Sequence, residues 1–229
     1  MGSVMATAEA RPWTLVSVHL PKTAGTSFAE ALQRVHGDGL RLDNADRPLA
    51  HARGERRLSA LRQACAMAGQ VLPDACVHGH FLPLKYALAR RTRFCVWLRD
   101  PVQRVVSRYH HYRRHGANEP HHRRWGLLPG LTLEQFVVLP QYRNTYAEYL
   151  WAFPLRRFDF VGIVECYAQD MARFAACFDL DPGQLQGARA NRNPERASEG
   201  GYALEPAQER LIRRCNARDL ALYERALRG

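Results

Sequence analysis

The sequence predicts an α/β fold in three layers, with a central parallel sheet flanked by helices, and three observations carry the prediction. Short apolar runs alternate with longer segments of helical periodicity. Three of the runs are almost wholly apolar, as in parallel sheets covered on both faces. The 229 residues, 46% of them hydrophobic, suit one domain with a sizeable core. We expect that domain over residues 15–229, after an irregular or disordered segment over 1–14.

The elements are predicted in order along the chain. A first strand at 15–18 leads through a loop into a helix that opens at Thr26. The polar stretch 37–57, rich in Asp and Arg, predicts a loop. Asp100 followed by Pro101 is a typical helix start. Further strands are expected at 94–98 and 158–164, with a short one that ends in residues 77–80. Helices are expected at 58–68, 84–89, 101–114, 133–139, 142–151, 168–178 and 205–227.

The segment 15–28, LVSVHLPKTAGTSF, is the most informative part of the chain. An apolar strand ends in a turn rich in Lys, Gly and hydroxyl residues and then becomes a helix. Such a turn presents backbone N–H groups and a positive dipole end to an anion. Because Lys22 precedes Gly25 by three residues, the loop departs from the nucleotide-triphosphate pattern GxxxxGK[ST]. The segment therefore predicts a phosphate cradle of another kind.

Three segments should meet at one edge of the sheet, because ligands of parallel sheets bind at the carboxyl ends of the strands. They are 21–27, 78–80 and 99–100. His78 and His80 flank Gly79, so their side chains share a side if the strand persists and splay apart if Gly79 bends it. Histidine suits a general base near neutral pH. The alternative is that both imidazoles only bond the backbone or cap the strand.

The composition points to anionic partners. The net charge of +11 fits a nucleotide, an acidic glycan, nucleic acid or a membrane surface, and basic residues crowd the stretch 104–124. The six cysteines show no metal-binding spacing, so we expect no metal. The chain shows neither a run of 18 apolar residues nor a signal-peptide pattern, so we expect a cytoplasmic protein without a transmembrane segment.

Three motifs together resemble one family. HLPKTAGTSF, VHGHF and FCVWLRDPVQRVVSRYHHYRR have the order and spacing of PAPS-dependent sulfotransferases. The nearest resemblance is to the carbohydrate type, sulfotransferase family 2, which includes the heparan sulfate 2-O- and 6-O-enzymes and bacterial relatives. It extends from about Leu15 to Leu227 and implies a bacterial member with a P-loop-type fold. It also implies PAPS as co-substrate, PAP as product, no metal, no nucleic acid, and a hydroxyl-bearing acceptor such as an acidic glycan.

The resemblance also implies roles for individual residues. Lys22 would meet the leaving phosphate, and Arg99 and Ser107 would bind the 3′-phosphate. One of His78 and His80 would be the catalytic base, with His80 favoured. The 5′-phosphate would be held by Thr23, Ala24, Gly25, Thr26 and Ser27, and Arg192 is a further candidate for the nucleotide.

Two alternatives stay open from the sequence. A P-loop kinase or NTPase acting on a small molecule would need ATP and Mg²⁺. A non-catalytic polyanion-binding protein would show steep salt dependence without preference for PAP.

Overall fold

The structure, a computed structural model, describes residues 12–45, 51–116, 129–185 and 201–229. In that part of the chain, five parallel strands form one sheet in the order β2-β3-β1-β4-β5. The strands are β1 Thr14–Val18, β2 Leu40–Leu42, β3 Cys76–Gly79, β4 Thr92–Leu98 and β5 Phe160–Ile163. The α-helices are α1 Gly25–His36, α2 Arg53–Met67, α3 Pro101–His115, α4 Leu133–Val137, α5 Thr145–Tyr149, α6 Tyr167–Cys177, α7 Pro182–Leu185, α8 Pro206–Cys215 and α9 Ala217–Arg228. Short 3₁₀ turns lie at Gly37–Gly39, Pro83–Tyr86, Pro140–Tyr142, Leu155–Arg157 and Val164–Cys166.

Alternation along the central strands builds a core on each face of the sheet. Val16 and Val18 of β1 face one hydrophobic cluster, whereas Leu15 faces the other. The first cluster includes residues of α5 and α9, and the second is covered by α1 and α6. The three-layer α/β fold with a parallel sheet is therefore confirmed.

The register brings the ends of the two central strands together. In β1, Ser17 lies opposite His78 of β3 on one side and Cys95 of β4 on the other. The loop after β1, the end of β3 and the segment after β4 thus follow neighbouring strands at the carboxyl edge. The start of α3 is also confirmed, since the Asp100 carboxylate accepts a hydrogen bond from the N–H of Gln103 at 2.9 Å.

The predicted loop over 37–57 was wrong in two places. It contains β2, a three-residue edge strand that pairs with β3 and is partly exposed, so its sequence shows no apolar run. It also contains the start of α2 at Arg53. Residues 46–50 between them, like 1–11 at the N-terminus, lie outside the described residues. β1 begins at Thr14, one residue before the expected start.

Three predicted helices differ from the observed ones. The segment 84–89 forms only the 3₁₀ turn Pro83–Tyr86. The helix expected at 142–151 is confined to α5, because Asn144 takes a left-handed conformation with φ of 50° just before it. The last helix is divided into α8 and α9 at Asn216, whose side chain accepts the N–H of Asn144 at 3.0 Å. None of the helices in the described ranges is long and apolar enough to cross a membrane.

Candidate functional site

The loop after β1 is a backbone cradle. Lys22 and Ala24 both take left-handed conformations, with φ of 68° and 62°, and flank Thr23. Thr23 is 1% exposed, and its hydroxyl donates to the carbonyl of Leu20 at 2.9 Å. That bond holds the loop in an unusual shape for non-glycine residues, which costs of order 1–3 kcal/mol per strained residue. Such strain is typical of functional loops, and turns that contain left-handed residues are typical of backbone anion sites.

The loop continues into α1 without a side-chain cap. Ala24, the residue before the helix, carries no acceptor for the first N–H groups, and the first intrahelical bond runs from the N–H of Phe28 to its carbonyl at 3.1 Å. An anion can take the place of the missing cap and gain the dipole of a 12-residue helix. The hydroxyl residues follow at once, with Thr26 exposed and Ser27 buried.

Gly25 is required because His19 packs against it. A Cβ on Gly25 would lie 1.7 Å from His19 Nε2, which no side chain tolerates. The ring of His19 also stacks on the ring of His78 at 5.1 Å and on that of His80 at 4.2 Å. His19 therefore joins the loop after β1 to the end of β3, and it brings together two motifs that lie far apart in the sequence.

His78 is a buried, neutral imidazole. It is 2% exposed, and its Nδ1 lies 2.8 Å from the hydroxyl of Ser17 on the neighbouring strand. Burial, with a smaller contribution from His80, lowers the pKa of His78 from 6.5 to about 4. Its Nε2 has no hydrogen-bond partner among the described residues. A large acceptor cannot reach a ring buried to this degree.

His80 is partly exposed, and its orientation is fixed at two points. Its Nδ1 lies 2.7 Å from the carbonyl oxygen of His19, and its backbone N–H donates to Oδ1 of Asn44 at 3.2 Å. Because a carbonyl only accepts, Nδ1 must carry the proton, and the neutral ring then has its lone pair on Nε2. This tautomer is the one required of a general base that acts through Nε2.

The segment after β2 supports the histidines, and sequence reasoning missed it. The N–H of Asp43 donates to the carbonyl of His78 at 2.9 Å, and a Cβ on Gly79 would lie 1.8 Å from the carbonyl oxygen of Asp43. Gly79 is thus needed for this close approach. An Asp-Asn pair directly after a Leu-Arg-Leu strand was the available signal.

Asp43 itself is anchored by a buried ion pair. Lys85 Nζ and the hydroxyl of Tyr86 donate to Oδ2 of Asp43, at 2.5 and 2.6 Å. Burial raises the pKa of Asp43, but the hydrogen bonds from Lys85 and Tyr86 and the Lys85 charge outweigh it, so that the pKa falls below its usual value. The charged carboxylate thus holds in place the segment after β2, whose Asn44 accepts the backbone N–H of His80.

Arg99, which follows β4, is held at both ends. The hydroxyl of Tyr146 accepts its N–H at 3.0 Å and donates to its carbonyl at 2.7 Å. The guanidinium lies over the ring of Tyr202, 5.9 Å from its centroid. Ser107, on the second turn of α3 after Arg99, is 5% exposed.

Two predicted features fall outside the described residues. They are Arg192, in the segment 186–200, and residues 117–124 of the basic stretch 104–124. The described part of the basic stretch forms α3, which ends in Arg113, Arg114 and His115. In the described ranges no three His, Cys, Asp or Glu side chains are grouped so that they could hold a metal ion.

Comparison with known proteins shows the fold. No family model matches the chain. No curated protein matches it either. Among solved structures it is similar to the mouse sulfotransferase SULT7A1 complexed with PAP, with a TM-score of 0.53 and 15% identity over 94% of this chain and 89% of the mouse chain.

Two further solved structures match with lower scores. A sulfotransferase from Alicyclobacillus acidocaldarius has a TM-score of 0.49 and 15% identity, over 94% of this chain and 96% of its own. The sulfotransferase domain from the curacin biosynthetic pathway has a TM-score of 0.42 and 11% identity, over 89% of this chain and 97% of its own. The likeness to the mouse protein shows that this chain shares the α/β fold of that sulfotransferase, with a central parallel sheet flanked by helices.

Proposed function

We propose that this protein is a PAPS-dependent sulfotransferase that moves a sulfuryl group to a hydroxyl of an acceptor. One observation carries the proposal. His19 links an anion cradle, the loop 21–27, to a histidine whose Nε2 has the lone pair of a base, at one edge of the sheet. A donor anion and a proton acceptor side by side are what sulfuryl transfer to a hydroxyl needs.

The loop 21–27 and Arg99 bind different phosphates of the nucleotide. The N–H groups of residues 23–27, with the hydroxyls of Thr26 and Ser27, bind the 5′-phosphate. Arg99 and Ser107 bind the 3′-phosphate that distinguishes PAPS from ordinary nucleotides, and the guanidinium fork suits a phosphate. The mouse sulfotransferase of the same fold was solved with PAP, the product of this reaction. Arg192 is proposed as a further contact.

The reaction is a single in-line displacement. The acceptor oxygen forms a bond to sulfur while the bond from sulfur to the bridging oxygen of the phosphosulfate breaks. The acceptor proton passes to Nε2 of His80, and the bridging oxygen leaves as part of PAP with additional negative charge. Lys22, at the start of the loop, stabilises that charge with its ammonium group.

His80 suits the base role better than His78. The partly exposed ring of His80 is held with Nδ1 protonated, so Nε2 can take a proton directly. His78 is 2% exposed and is bonded to Ser17. In this proposal His78 packs against His19 and helps to hold the stack.

For the acceptor we propose a carbohydrate or another anionic molecule. Two observations support this choice: the resemblance of the three motifs to the carbohydrate type, and the positive charge of the protein, +11. The basic residues in the last turn of α3 are part of this positive charge, which attracts an acidic acceptor.

A thermal shift experiment tests the nucleotide part of the proposal. PAP, AMP and ATP with Mg²⁺ are each added to the protein, because a ligand of the native state raises Tm according to its affinity. We expect PAP to give the largest shift, Lys22→Ala to reduce it, and the exposed charge control Arg62→Ala to leave it unchanged. Equal shifts with PAP and AMP, or a preference for ATP with Mg²⁺, would refute the proposal.

A further inference from the structure

We infer that Tyr146 is a positioning residue that fixes Arg99, and through it sets the preference of the protein for nucleotides carrying a 3′-phosphate. The inference rests on the proposed function, because it takes Arg99 as the group that binds the 3′-phosphate. It adds to that function a residue that contacts no nucleotide and acts through another.

The clamp on Arg99 is made by a single hydroxyl. Tyr146 Oη accepts the N–H of Arg99 at 3.0 Å and donates to the carbonyl of the same residue at 2.7 Å. Arg99 follows Leu98, the last residue of β4 that pairs with β5, so the sheet no longer fixes its backbone. The hydroxyl of Tyr146 therefore satisfies and fixes the backbone N–H and carbonyl of Arg99, as the hydrogen bonds of the sheet do for the preceding residues of β4.

Tyr146 is itself held firmly. It is fully buried, and its backbone N–H donates to Oδ2 of Asp219 at 3.1 Å, while the N–H of Ala147 donates to Oδ1 at 3.0 Å. Asp219, which is 0% exposed, also pairs with the buried Arg104, at 3.5 Å. The guanidinium of Arg104 in turn lies over the ring of Tyr146, 5.2 Å from its centroid. The ring can thus keep its place when the hydroxyl alone is removed.

The side-chain end of Arg99 is also fixed. Its guanidinium lies over Tyr202, whose backbone is held on both sides by the amide of Gln103. The ring of Tyr202 stacks on His110 at 4.9 Å. Because Arg99 is already held at its backbone and along its side chain, it loses little conformational entropy when it binds a phosphate. The smaller entropic cost raises the affinity.

The experiment compares nucleotide affinities by calorimetry in wild type, Tyr146→Phe and Arg99→Gln. PAP and AMP differ by the 3′-phosphate, so the ratio of their dissociation constants reports on the group that binds it. We expect Tyr146→Phe to weaken PAP binding about tenfold and AMP binding less than twofold. Tyr167→Phe is the matched control, since its hydroxyl is buried but has no hydrogen-bond partner in the described part of the chain, and its ring packs on Trp97.

The double variant separates positioning from general damage. If Tyr146 acts through Arg99, then Tyr146→Phe should not change the PAP to AMP ratio further in an Arg99→Gln background. An unchanged ratio in Tyr146→Phe, an additive effect in the double variant, or an equal loss of PAP and AMP would overturn the inference while leaving the proposed function intact. Wild-type protein that binds PAP no better than AMP would instead overturn the proposed function.

Discussion

Acidification should destabilise this protein through one buried histidine. The pKa of His78 is lowered from 6.5 to about 4, because the ring is buried and lies near His80. Between those two pH values the unfolded chain binds a proton that the folded protein excludes. The stabilising contribution is therefore fully present above pH 6.5 and is lost as the pH falls toward 4. The pKa values of His78 in the unfolded and folded states differ by about 2.5 units. At about 1.36 kcal/mol per unit, this difference contributes roughly 3 kcal/mol to the free energy of unfolding.

Urea denaturation at several pH values between 7 and 4 measures this loss. The matched variant is His78→Asn, because the amide can reach Ser17 as Nδ1 does but cannot titrate. Only the dependence on pH is compared, so a constant cost of the substitution cancels. We expect the unfolding free energy of the wild type to fall by roughly 3 kcal/mol more than that of the variant over this range. Parallel curves for the two proteins, with equal m-values, would show that His78 is not held neutral by burial.

Two further substitutions test the packing of the site. Gly25→Ala places a Cβ 1.7 Å from His19 Nε2, so it should cost about 1–3 kcal/mol and weaken PAP binding; Gly54→Ala, which meets no atom within 4 Å, should cost nothing. Equal thermal stability of both variants would contradict the packing of His19. Asp219→Ala leaves the buried Arg104 without its carboxylate and should cost about 3–5 kcal/mol in urea denaturation. A loss below about 1 kcal/mol would mean that the pair does not hold α5 in place.

The parts of the fold that could be predicted are those with local signals. The apolar runs of β1, β3 and β4 and the Asp100-Pro101 helix start each carry their structure in a few adjacent residues. The strand β2 could not be predicted, because it is only three residues long, and the alternation of Leu, Arg and Leu over so short a stretch is too weak a strand signal beside its polar neighbours. The end of α8 also lacked a local signal, since the break depends on Asn216 bonding to the distant Asn144.

The candidate site divides in the same way. The cradle and the His-Gly-His motif were visible as motifs, but the contact that joins them through His19 depends on the pairing of β1 with β3. Asp219 looks like a surface residue of an amphipathic helix in the sequence, yet it is fully buried. Tyr146 carried no signal at all, because its role rests on hydrogen bonds to a residue 47 positions away.

Sulfuryl transfer itself gives the most direct test of the central claim. Labelled PAPS is incubated with a panel of sulfated and unsulfated saccharides, and label on the acceptor and PAP formed are measured for the wild type and His80→Ala, with PAP affinity determined in parallel. We predict transfer by the wild type and a loss of about 10²–10⁴-fold in His80→Ala at nearly unchanged PAP affinity. Transfer by His80→Ala at the wild-type rate, or no transfer by a wild type that is saturated with PAPS, would contradict the account.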